Sequence, residues 1–163
     1  MKKTKLINRI IIIALFVFYM YTLFKVILFK FRWRDTAFLL EQLQKKLGNP
    51  DNLMYQLQRG NFIPFKTMLI NIQSLSWHDL SNLVGNIAVF IPFGMFLAVF
   101  FKNKVIGGFA LSLGLSLYLE CLQVIFSLGI FDVDDLILNT SGGWLGLGVI
   151  KLYDTVYSKC HKR

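Results

Sequence analysis

The chain has 163 residues, one domain's worth, and 55% of them are hydrophobic, including 16 Phe. That fraction exceeds the soluble norm of about 45–50% counted with glycine, and a water-soluble core of this size could not cover so much aromatic surface. The formal net charge of +9 falls at the ends of apolar runs rather than along one face, which argues against a nucleic-acid partner and fits membrane orientation.

The first apolar run, Ile7 to Phe29, follows Lys2, Lys3, Lys5 and Arg9. At about 1.5 Å per residue it is long enough to cross a bilayer. It continues through Tyr19, Met20 and Tyr21 without a small-x-small cleavage site, so it reads as an uncleaved anchor. Residues 30–79 form one long connection. Within it, Asp35 to Leu47 is amphipathic, with Leu40, Leu43 and Leu47 at helical spacing, and Gly48-Asn49-Pro50 ends the pattern. Trp33, Tyr55 and Trp77 suit a membrane–water interface, so this segment is expected on the bilayer surface.

Three further spans are expected at about Leu80–Phe101, Val105–Leu128 and Leu136–Tyr157, joined by short turns at 102–104 and 129–134. The expected fold is therefore all-α, an integral membrane bundle of about four transmembrane helices with an interfacial amphipathic segment after the first. The fourth span has the shortest uninterrupted apolar stretch. Lys and Arg distribution favours both termini inside the cell, although Lys30, Arg32 and Arg34 beside the first span run against the pattern.

In that orientation the polar side chains fall in the outer half of the membrane. Lys25 lies about one turn below the outer surface, Asn82 and Asn86 lie in the outer half of span two, Glu120 lies roughly 13 Å below the outer end of span three, and Asn139 lies about one turn into span four. Asn82 and Asn86, Ser112, Ser116 and Glu120, and Asp135 and Asn139 each recur at i,i+4, so each set marks one helix face. Lipid cannot solvate such faces, so they should meet one another or a water-filled cleft. Gly142 and Gly146 form G-x-x-x-G, a close-packing pattern.

A carboxylate near the bilayer centre costs at least about 2.5 kcal/mol on insertion scales, so Glu120 needs a reason. It is either a structural pair with Lys25 or an amide, or a functional group whose burial raises its pKa. Asp132, Asp134 and Asp135 precede a helix, where carboxylates suit the free N–H groups. A divalent cation among these groups is an open alternative to capping. Cys121 and Cys160 form no disulfide framework and no zinc spacing, and His78 and His161 have no partner at ligand spacing. No metal and no cofactor is expected. There is no G-x-S-x-G, P-loop or H-E-x-x-H, so no nucleophile–base pair can be argued.

Four segments carry a family resemblance. Asn61-Phe62-Ile63-Pro64-Phe65 resembles the N-x-x-P-F segment of VanZ-like membrane proteins. Asn86 to Gly94, which holds Pro92 and Phe93, resembles their N-x-x-x-F-x-P-F-G segment. Glu120-Cys121-Leu122-Gln123 is similar to their E-x-x-Q. Phe131, Asp132, Asp135, Asn139, Thr140, Gly142, Gly143 and Gly146 follow F-D-x-x-D-x-x-x-N-T-x-G-G-x-x-G. They occur in the family's order over about residues 61–148, whereas the first 60 residues carry little of the likeness. On this reading residues 1–60 are an anchor and surface loop, 61–157 the VanZ-like membrane domain and 158–163 a basic cytoplasmic tail.

The resemblance implies a multi-pass protein of the bacterial cytoplasmic membrane. It nominates Asn61, Asn86, Glu120, Gln123, Asp132, Asp135 and Asn139 as a functional polar cluster, with Pro64, Phe65, Pro92, Phe93, Gly94, Gly142, Gly143 and Gly146 as structural motif positions. The family's namesake is associated with low-level teicoplanin resistance that does not rebuild the D-Ala-D-Ala target. Three functions stay open: an envelope protein lowering access of lipoglycopeptides, an enzyme acting on an envelope lipid or lipid-linked precursor, and a small structural subunit of a membrane complex. The expected partners are the bilayer and a lipid-linked precursor or lipoglycopeptide, with no nucleic acid.

Overall fold

A computed structural model describes residues 2–29, 36–48, 51–74, 76–101 and 105–160. Several sequence expectations lie outside these residues: the Asn49-Pro50 stop, Trp33 at the interface, the basic residues 30, 32 and 34, the turn at 102–104, and His161 with the end of the tail. The described residues form seven helices: α1 (Lys2–Phe29), α2 (Thr36–Gly48), α3 (Asp51–Gln58), α4 (Lys66–Ser74), α5 (Trp77–Phe100), α6 (Val105–Ile125) and α7 (Val133–Cys160). The protein is an all-helical bundle. Three stretches are long and apolar enough to cross a membrane, Leu6–Leu28, Trp77–Phe100 and Ile106–Ile125. With 28 residues α7 is as long as α1. It is less apolar because it buries Asp134, Asn139 and Thr140 inside the bundle and carries the exposed polar residues Lys151, Asp154, Thr155, Ser158 and Lys159 toward its end. A hydropathy reading cannot separate polar groups turned inward from polar groups in water.

The tightest contact in the bundle joins α5 and α7. A Cβ on Gly142 would stand 2.1 Å from the Ile87 carbonyl oxygen, one on Gly146 2.0 Å from that of Ile91, and one on Gly94 1.9 Å from that of Gly143. Only glycine permits this approach, in which Cα–H groups face carbonyls of the opposite helix. Because Ile87 meets Gly142 and Ile91 meets Gly146, the two helices run parallel. G-x-x-x-G thus pairs with the next helix but one. Between them in sequence, α6 runs antiparallel to α7, with Ser116 against Asn139, Ser112 against Gly143 and Gly108 against Leu147.

α1 closes the bundle with aromatic side chains. Phe16 packs among Phe93, Phe96 and Phe100, while Leu23 and Ile27 are buried. The Tyr19 hydroxyl donates to the Val89 carbonyl at 2.7 Å. This contact lies in the stretch of α5 where Pro92 withholds an N–H, and α5 nevertheless runs unbroken through the proline.

Several helix ends differ from the expected spans, and two have a definite local cause. α6 stops at Ile125, not Leu128, because Ser127 adopts φ 53° and closes a Schellman cap. The Leu128 N–H donates to the Gln123 carbonyl at 2.8 Å and the Ser127 N–H to that of Val124 at 3.3 Å. α7 begins at Val133, ahead of the expected Leu136, so Asp134 and Asp135 lie in its first turn.

The seam makes a sharp prediction. Gly142→Ala and Gly146→Ala should each destabilise by about 1–3 kcal/mol or more, because a methyl group cannot enter without parting α5 from α7. Gly114→Ala, where nothing lies within 4 Å of the added Cβ, should be neutral or stabilising by up to about 1 kcal/mol. Thermal unfolding of the three variants in one detergent would measure the contrast.

Candidate functional site

The polar groups converge at the end of the bundle where α6 gives way to α7. Asn61 pairs with the chain there in a strand-like bridge: its N–H donates to the Phe131 carbonyl at 2.8 Å, and its carbonyl accepts the Val133 N–H at 2.9 Å. Phe62 stacks on Phe131 with ring centroids 5.1 Å apart. The Asn61 amide donates to the Asp132 carboxylate at 2.9 Å and to the Thr67 hydroxyl at 3.0 Å.

Asp132 is the N-cap of α7. Its carboxylate accepts the Asp134 N–H at 2.9 Å, and its own N–H donates to Glu120 Oε2 at 3.1 Å. Asn61, Asp132 and Glu120 are therefore joined directly. Glu120 is only 1% exposed. One turn along α7, the Asn86 amide donates to the Asp135 carboxylate at 2.6 Å. One turn deeper, the Asn139 amide donates to Ser116 at 3.0 Å.

Not every expected member faces this cluster. Gln123 is turned toward α1, where its amide donates to the Ile27 carbonyl at 2.9 Å. Ile27 lies in the last turn of α1, whose carbonyls have no intrahelical partner, so Gln123 caps that helix. Asn82 lies one turn before Asn86 on the same face of α5 but does not reach the cluster. It is exposed, with its amide 3.5 Å from His78. Lys25 is also exposed, with its amine 5.8 Å from the Tyr21 ring centre. Among the described residues, no three His, Cys, Asp or Glu side chains gather in a way that could hold a metal ion.

Asp134 is the residue that pattern reasoning passed over. It is 1% exposed, and its carboxylate accepts the Phe65 N–H at 2.5 Å and the Met68 N–H at 3.0 Å. It thereby satisfies the free N–H groups at the start of α4 from a distant part of the chain. Pro64-Phe65 forms the turn that presents them. Phe65 sits at φ 67°, left-handed backbone that costs a non-glycine residue about 1–2 kcal/mol. Two hydrogen bonds to a charged acceptor contribute about 1.5–3 kcal/mol each, so the Asp134 contacts outweigh that strain. Three carboxylates in four residues were the available signal, but partners that are backbone N–H groups leave no mark in the sequence.

These features define a class: an all-helical membrane protein with its buried polar groups knotted at one end. The particular family follows from comparison. The chain belongs to the VanZ/LLP1 family, whose model matches residues 16–154. It is 45% identical over 76 residues to Protein VanZ of Enterococcus faecium. That match covers 46% of this chain and 45% of the relative, so it spans less than half of either protein. No solved structure matches.

The latch predicts that Asp134→Ala frees two amides. Hydrogen exchange at Phe65 and Met68 should accelerate by at least about tenfold, the factor that loss of one charge-assisted bond supplies. Exchange in the α5–α7 seam should be unaltered.

Proposed function

We propose that this chain is a VanZ-like cell-envelope protein that lowers susceptibility to teicoplanin-type lipoglycopeptides at the outer leaflet, without modifying the D-Ala-D-Ala target. The observation that carries the reading is the composition of one end of the bundle. There the Asn61–Asp132–Glu120 cluster lies beside a strongly apolar surface, with Phe62, Ile63, Phe65, Leu69 and Ile70 all more than half exposed. Such a surface suits the acyl region of a leaflet, and the polar groups next to it suit the headgroup level. Family membership and the likeness to Protein VanZ support it.

Orientation supports it as well. Lys2, Lys3, Lys5 and Arg9 lie in the first turns of α1, the end of that helix away from Gln123, and Lys102 and Lys104 fall between α5 and α6 in sequence. The turn at 126–132 carries no Lys or Arg. The positive-inside rule therefore directs the cluster outward, to the side where lipid-linked wall precursor is displayed and where a lipid-tailed antibiotic would insert. The carboxylates of Asp132 and Asp134 are engaged by N–H donors, an arrangement that serves architecture and recognition more readily than acid–base chemistry.

The test is expression of wild type and Glu120→Gln in a susceptible Gram-positive host, with membrane levels matched. Wild type should raise the inhibitory concentration of teicoplanin and leave that of vancomycin unchanged. The Gln variant should lose the protection. Equal shifts for both drugs would exclude a mechanism that depends on the lipid tail.

A further inference from the structure

The interior below the cluster holds polar atoms with nothing to bind. Among the described residues, Asn139 Oδ1 and Thr140 Oγ1 are buried without a hydrogen-bond partner. Turning the Asn139 amide over does not resolve this. The Ser116 hydroxyl would then serve the oxygen, and the NH2 group would be left unpaired instead. Within hydrocarbon each such atom costs several kcal/mol, so the Asn139 oxygen, on the side chain that meets Ser116, calls for a guest that can donate to it.

The surroundings describe where that guest sits. Ser112, Ser116 and Glu120 of α6, each nearly or fully buried, face the α7 surface that carries Asn139. The column is closed at its far end by the Leu147 side chain lying against Gly108. At its near end lie Asp132, whose N–H reaches Glu120, and Asn61, bonded to Asp132.

Residues 61–68 form a strap across that end, and the strap is fastened from one side. Its bonds to the body of the protein go to Phe131, Asp132, Val133 and Asp134, while α4, whose first turn forms its end, buries no residue of its own. Its turn is held in the left-handed conformation at Phe65 by the Asp134 contacts. An element with few buried contacts and a strained turn has a low free energy of opening.

We propose that residues 61–68 gate a hydrated site inside the bundle, lined by Ser116, Glu120 and Asn139, with water as its guest. Water pairs with the Asn139 oxygen as a donor and with the Ser116 hydroxyl in either role. Opening the strap connects this site to the aqueous phase at the polar end of the bundle. The gate is independent of any antibiotic, so it can hold where the teicoplanin reading fails.

Cysteine accessibility tests it. In a Cys121→Ser, Cys160→Ser background, which removes the two exposed thiols, Ser116→Cys places a thiol on the lining of the site. Protein in lipid nanodiscs, with both faces open to solvent, is treated with a small charged methanethiosulfonate. Three forms are compared: the strap free, the strap locked by a disulfide between Phe62→Cys and Phe131→Cys, and the strap loosened by Asp134→Ala. Labelling should be slowed by the lock and accelerated about tenfold or more by Asp134→Ala. Equal rates in all three forms would mean that water arrives by another route. No labelling in any folded form, with full labelling after unfolding, would mean that the site is dry. Either result overturns the gate. Asn139→Cys serves in the same design if Ser116→Cys does not fold.

Discussion

Because Gly94, Gly142 and Gly146 lack a Cβ, α7 lies with its backbone against α5 from Ile87 to Gly94, and the position of the polar groups that α5 and α7 carry at the end of the bundle depends on that contact. Lipid offers no hydrophobic drive between helices, so close van der Waals packing and weak Cα–H···O contacts must hold the pair. The contact also fixes register. With Ile87 opposite Gly142, Asn86 is in reach of Asp135, and the start of α7 is carried to the point where Asp132 meets Glu120 and Asn61. A one-residue slip along either helix would separate these groups.

Much of the fold was legible in the sequence. The apolar runs gave α1, α5 and α6, because hydropathy follows from the need to satisfy every backbone polar group inside a bilayer. The Gly142–Gly146 spacing marked a close contact. Its partner was not legible, because nothing in a small-x-x-x-small pattern says whether it packs on an adjacent helix or on one beyond. Helix ends were legible only in part. The cap at Ser127 uses a left-handed serine where glycine is usual, so the expected stop fell at Leu128. The early start of α7 follows from Asp132 taking the N-cap position.

The site was legible where side chains bind side chains across helices and obscure where they bind backbone. Asn86 with Asp135, and Asn61 with Asp132, join motif positions that the sequence had already set apart. Gln123 belongs to the same motif, yet it completes the end of α1 instead, because the last carbonyls of α1 create a demand that the motif does not record. Asp134 shows the converse. It takes two N–H groups from a helix more than sixty positions earlier in the chain, and a demand for an acceptor at the start of α4 cannot be read from the residues of α4.

The two halves of the polar end are therefore built on different principles. The half on α5, α6 and α7 is fixed by backbone contact and by buried pairs such as Asn139 with Ser116. Neither can change without parting helices, and close-packed interiors resist that. The half formed by residues 61–68 is fixed by hydrogen bonds and one aromatic stack, set against the strain at Phe65. Contacts of this kind can be made and broken without disturbing the seam, as long as water or a headgroup replaces the lost partner. Only at the membrane surface is such a replacement at hand. A mobile element in this protein therefore has to lie at an end of the bundle, and the strap is placed where buried polar groups are nearest to that surface.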